Sequence, residues 1–169
     1  MPDYYVALAK EYLEMQGFLV RTETKYEKRE KDKRGIERTS WPDIDILAAK
    51  IKGNEVVQTI IGEVKGESQT EQEVKDIYEK NFDNPFVKRK LEDLIGSVSP
   101  EKWLFCFSWG QKERKFAEKL GIKAISMSEM ISYLVKELKK HKGWFYERDS
   151  PNLMLLQFLR QEPNLIKDP

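Results

Sequence analysis

Along the N-terminal segment the apolar residues Tyr5, Val6, Leu8, Ala9, Tyr12, Leu13 and Met15 recur at spacings of three and four. That spacing winds onto one helical face and predicts a helix over 3–16, with Asp3 as N-cap and Gly17 as its stop. The pattern then changes. Phe18 to Thr24 reads as a strand, and from Lys25 to Ser40 apolar residues almost disappear. This charged stretch predicts a solvated loop or a ragged hairpin tip around Gly35. Ile44–Ile51 and Val56–Lys65 follow as two β-branched, nearly continuous apolar runs joined by the turn signal Gly53-Asn54. They predict an antiparallel hairpin, and their lack of polar alternation predicts a central place in a sheet.

Beyond the hairpin, 68–97 reads as helix in two pieces broken near Asn84-Pro85. Lys102–Trp109 reads as a strand, Lys112–Leu120 as a helix stopped by Gly121, and Ile122–Ile125 as a short strand. A helix is predicted from an N-cap at Ser128 to about His141, and a last one over 151–161 capped by Ser150. No repeat or linker interrupts this order, so a single α/β domain built on one sheet is expected over 1–169.

Composition narrows the classes. The chain has 30 Lys and Arg against 29 Asp and Glu, so it is neither an acidic tail protein nor a histone-like one. Near-neutrality leaves a nucleic-acid partner open, because charge can be segregated over a surface. A hydrophobic content of 40% opposes disorder. Abundant Glu and Lys with few Cys and Asn fits a thermophilic source, as a statistical signal. The single cysteine, Cys106, lies in the run Trp103–Phe107 and reads as a small buried hydrophobe. No apolar run reaches membrane-spanning length, and the start Met1-Pro2-Asp3-Tyr4 has no signal-peptide character. The expectation is a cytoplasmic protein with no membrane partner.

Charged residues inside the apolar hairpin are the anomaly. Alternate residues of a strand share a face, so Glu63 pairs with Lys65, and Asp43 with Asp45. Burying such charges costs several kcal/mol per ion unless they are paired or hold a metal. Carboxylates converging beside a lysine suit Mg²⁺, which takes carboxylate, water and phosphate oxygens. A metal so held stabilises charge on a phosphate and lowers the pKa of a bound water.

Pro42-Asp43-Ile44-Asp45-Ile46-Leu47-Ala48 and Ile61-Gly62-Glu63-Val64-Lys65 together resemble the PD-(D/E)xK nuclease superfamily. The order of elements over about 3–135 and the segment Lys119–Ile125 are similar to archaeal Holliday-junction-resolvase-like and Mrr-like members. The resemblance implies a restriction-endonuclease-like core, a central mixed sheet of about five strands flanked by helices; the helical extension over 143–169 follows this core and has no role assigned by the resemblance. It implies a metal-dependent DNA endonuclease in which Asp45 and Glu63 bind Mg²⁺ or Mn²⁺ and Lys65 serves the attacking water. Asp45 is chosen over Asp43 because it directly precedes Ile46-Leu47-Ala48; Asp43, after Pro42, is otherwise a polar strand start. Among the Glu-x-Lys tripeptides of the chain, those at Glu73, Glu113 and Glu137 lie in predicted helices, where such spacing is ordinary. The first-helix Glu of many members is not matched: its position falls near Val6, while Glu11 and Glu14 lie closer to Gly17. Gln69 and Gln72 are followed four residues on by Glu73 and Asp76, so a Gln-x-x-x-Tyr exonuclease motif is absent.

Two further readings stay open: an inactive nuclease-like fold that only binds DNA or protein, and a structure-specific RNase. Cutting both strands of a duplex would imply a homodimer. The segment Lys25–Arg38, with seven basic and four acidic residues, is either a phosphate-tracking arm or a solvated loop. Lys88-Arg89-Lys90 is expected to be a solvated face, with backbone contact as the alternative. Trp41 is expected in core or rim packing, with base stacking as the alternative, and Trp103, Trp109 and Trp144 in packing. A lone histidine, His141, excludes His-clustered metal sites, and no Gly-rich phosphate loop supports nucleotide hydrolysis.

Overall fold

The computed structural model describes residues 4–31, 33–95 and 99–140. The first apolar stripe forms α1 (Tyr4–Glu14), and the next segment forms β1 (Leu19–Lys25). The charged stretch is a hairpin of two short strands, β2 (Lys28–Lys31) and β3 (Glu37–Ser40), paired antiparallel. The long hairpin is β4 (Asp43–Lys52) and β5 (Glu55–Val64), followed by α2 (Glu71–Ile77), a π-helical turn over Tyr78–Phe82 and α3 (Pro85–Ile95). The chain then runs through β6 (Glu101–Cys106), α4 (Gln111–Lys119), β7 (Ile122–Ser126) and α5 (Met127–Lys140).

The five longer strands form one mixed sheet in the order β1-β4-β5-β6-β7, so the expected α/β architecture is present. β1, β4 and β5 pair antiparallel, while β5, β6 and β7 run parallel. The most apolar strand, β5, is central, as its composition required. One face of the sheet packs Ile46, Ile60, Trp103 and Phe105 against α1 and α5. The other packs Leu47, Ile61, Leu104 and Ala124 against α2, α3 and α4. Full burial of such side chains stabilises the domain by about 1.5–3 kcal/mol each.

Local chemistry fixes the element ends. Thr70 and Glu73 form a reciprocal capping box at the start of α2. Asn84 accepts the Phe86 N–H at 2.9 Å and donates to the Lys80 carbonyl at 2.7 Å, and Pro85 takes the first helical position of α3. The predicted cap of α5 is corrected. Ser126, the last residue of β7, caps α5: its Oγ accepts the Glu129 N–H, and Glu129 Oε2 accepts both the N–H and hydroxyl of Ser126. β6 also ends sooner than predicted, at Cys106, because the chain turns there toward α4. The predicted helix over 151–161, Trp144, His141 and the extension over 143–169 lie outside the described residues. Among the described residues no helix is long and apolar enough to cross a membrane.

Candidate metal and phosphate site

β4 and β5 are registered through Ile46↔Gly62. One step beyond, at the carboxyl end of β5, stand Asp45 and Glu63. Glu63 lies on the face that carries Leu47 and Ile61, toward α2 and α3, while the Asp45 carboxylate turns to the backbone of β5. In open α/β sheets, ligands bind outside the carboxyl ends of strands, where neighbouring connections diverge. Here the strand pair opens: the Val64 N–H, which points toward β4, is accepted at 2.9 Å by Asp45 Oδ2. The Lys65 N–H still continues the parallel ladder, donating to the Phe105 carbonyl at 2.8 Å. β5 is therefore held firmly on one side and parted from β4 by a carboxylate on the other.

Small residues make this geometry possible. A Cβ on Gly62 would lie 2.9 Å from Ile46 Cβ and 3.0 Å from Phe105 Cε2, so only glycine lets the two strands and Phe105 approach this closely. A Cβ on Gly66 would lie 2.8 Å from the ring of Tyr5, which packs against the chain just after Lys65.

Glu63 is only 7% exposed. Lys65 Nζ lies 2.5 Å from Glu63 Oε1, so the two side chains meet on one face as strand alternation requires. Burial works to lower the Lys65 pKa, but Glu63, with a smaller contribution from Asp45, outweighs it and the ammonium is held above its ordinary value. Only the Glu63 end of this pair is buried, so the contact offsets the desolvation of that carboxylate rather than adding much stability. Cys106 is close enough to feel Lys65; burial nevertheless pushes its thiol up to about 12, so it is an inert neighbour rather than a nucleophile.

The other acids of this region separate. Asp43 is exposed at the start of β4, registered against Lys25, and shares with Glu63 a narrow crevice walled by Tyr26 and Phe82. Glu23 lies beside Asp45 on β1, between the pairs Thr22↔Ile46 and Thr24↔Ile44, at a left-handed φ of 52°. That conformation costs a non-glycine residue about 1–2 kcal/mol, and the Glu23 side chain is exposed. Glu14 pairs with Lys10 at 3.7 Å, and Glu11 is buried on α1. Among the described residues no three His, Cys, Asp or Glu are grouped as a metal site. Asp45 and Glu63 are the two carboxylates at this strand end that could serve a cation, a number that Mg²⁺ accepts when waters and phosphate complete its shell.

Tyr26 is the residue that sequence reasoning missed. It is buried, its N–H donates to the Pro42 carbonyl at 3.1 Å, and it walls the crevice beside Glu63. Burial, then the charges of Glu63 and Glu30, hold its phenol above the ordinary value. A lone aromatic inside a charged stretch was the available signal. Trp41 corrects the packing expectation: it is 60% exposed, whereas Trp103 is in the core and Trp109 is partly buried with its indole N–H on the Ile125 carbonyl. Comparison of the chain with protein-family models, with curated proteins and with solved structures finds no match.

Proposed function

We propose that the chain is a PD-(D/E)xK-type nuclease, a divalent-metal-dependent phosphodiesterase acting on DNA. The observation that carries this reading is the placement of Asp45 and Glu63 at one opened end of β4 and β5, with Lys65 on Glu63. The donor set fits a hard cation: both ligands are carboxylates, and the neighbouring thiol is too basic to compete. Asp45 and Glu63 would hold Mg²⁺ or Mn²⁺, which when bound supplies positive charge against a phosphate. Lys65 would orient the attacking water and face the same phosphate. In the reaction, water oxygen forms a bond to phosphorus, the ester P–O bond breaks, and the leaving oxygen takes up a proton. No oxidant or further reactant is needed.

A second reading has one observation in its favour. Both carboxylates are already engaged, Asp45 with the Val64 N–H and Glu63 with Lys65, as suits a nuclease-like fold that binds without cutting. The test is incubation of the full chain with Mg²⁺ or Mn²⁺ and supercoiled, single-stranded and branched DNA, and with RNA of matched sequence. Metal-dependent cutting of DNA that is lost in Glu63→Ala and Lys65→Ala is the expected result. Cutting that survives both changes refutes the site, cutting of RNA alone identifies an RNase, and no cutting of any substrate refutes the enzyme.

A further inference from the structure

Three features left apart by the sequence meet in one place. The basic arm contributes Lys25 and Arg29, the segment after β3 contributes Trp41, and α3 contributes Phe86, Arg89 and Lys90 to a single groove of about 480 Å³. The helix supplies one continuous face here, because residues three and four apart align while Val87 and Leu91 turn into the core. Tyr26 lines this groove and also the crevice that holds Glu63, so the two share a wall.

The lining is chemically specific. Four cations face two carboxylates, Glu27 and Asp93. Glu27 is already paired with Arg29. Lys25, Arg89 and Lys90 have no carboxylate partner among the described residues. The Trp41 indole is left largely in water. A flat aromatic surface beside unpaired cations suits a base and its flanking phosphates together. A base inside a duplex has both faces stacked and offers none to an indole.

We infer that this groove binds an unpaired nucleotide of the substrate strand, with the base on Trp41 and its phosphates toward Lys25, Arg89 and Lys90. The substrate would then be single-stranded DNA, or DNA with an unpaired stretch, rather than an uninterrupted duplex. This rests on the nuclease reading for the strand's path to Glu63, but binding in the groove can be measured without hydrolysis.

The experiment is fluorescence anisotropy in EDTA with the full chain and three labelled DNAs of equal length: a single strand, a blunt duplex and an abasic single strand. The single strand should bind about ten-fold tighter than the duplex, and the abasic strand about five-fold more weakly than the normal one. Trp41→Ala should weaken the normal strand about five-fold and leave the abasic strand unchanged, while Arg89→Ala with Lys90→Ala should weaken both. A melting curve confirms folding, which the exposure of Trp41 favours. Equal affinity for the duplex, or a Trp41→Ala chain that binds the normal strand like the parent, overturns the inference. Cleavage measured in parallel separates the two proposals. Trp41-dependent binding without cutting leaves the groove standing and removes the nuclease; cutting without Trp41-dependent binding does the reverse.

Discussion

The tripeptide Glu-Val-Lys occurs twice, ten residues apart, at Glu63-Val64-Lys65 and Glu73-Val74-Lys75, with opposite outcomes. At the end of β5 the side chains two apart share a face, and Lys65 reaches Glu63 at 2.5 Å. In α2 residues two apart point to nearly opposite sides. Glu73 turns to Thr70 in the capping box, and Lys75 pairs with Glu79 at 3.9 Å. The valine behaves alike in both, buried each time, but Glu63 is buried while Glu73 is solvated. The composition of the tripeptide therefore says nothing about chemistry. What matters is whether the backbone puts both charges on one face and whether that face excludes water.

The comparison can be broken in several ways. The largest expected difference is in DNA cutting. Glu63→Gln or Lys65→Ala should lower the rate by about a hundred-fold or more, and Glu73→Gln should leave it within two-fold. Equal losses at both sites in a gel assay would mean that the two tripeptides are not distinct in function. Next is Gly62→Ala. Its Cβ has no room between the fully buried Ile46 and Phe105, so chemical denaturation should show a loss of about 1–3 kcal/mol. Val74→Ala should cost about 2 kcal/mol, because the residue is fully buried under α2. An unchanged stability would deny the packing of that helix. Thr70→Ala should cost about 1 kcal/mol by removing the cap of α2, and should not change cutting.

The smallest effects are in pH, and their signs differ. Backbone and side-chain hydrogen bonds from Thr70 hold the Glu73 carboxyl below its ordinary 4.5. Its contribution is present above that value and lost as pH falls through the lowered folded one. Lys65 is held above its ordinary 10.5, although burial opposes this, by Glu63. Its contribution is present below 10.5 and lost as pH rises through the raised folded value. Melting temperatures of Glu73→Gln and of the parent should therefore converge only in acid, and those of Lys65→Met and of the parent only in strong alkali.

The β4–β5 hairpin was legible because Ile44–Ile51 and Val56–Lys65 leave a strand no polar face to turn toward water, which also forces a central position. The helices were legible from three-and-four spacing, and the break at Asn84-Pro85 from the cap and ring chemistry of those two residues. The β2–β3 hairpin was harder to see because a two-stranded ribbon, almost wholly exposed, needs no apolar alternation. The cap of α5 was misplaced by two residues because one serine, Ser126, ends a strand and begins a helix at once. The π-helical turn over Tyr78–Phe82 leaves no sequence mark. Within the candidate site, the facing of Glu63 and Lys65 followed from strand alternation. The opening of β4 from β5 at Asp45, the left-handed backbone at Glu23 and the burial of Tyr26 did not, because they depend on how three strands meet.

The central claim is that Glu63, and not its counterpart in α2, holds a divalent cation with Asp45. Calorimetric titration of Mn²⁺ into the folded parent and into Glu63→Gln, Asp45→Asn and Glu73→Gln tests it without any substrate. The account predicts a Mn²⁺ site in the parent, kept in Glu73→Gln and weakened at least ten-fold in the other two. Mn²⁺ bound equally by the parent and Glu63→Gln, or by none of the four, contradicts it.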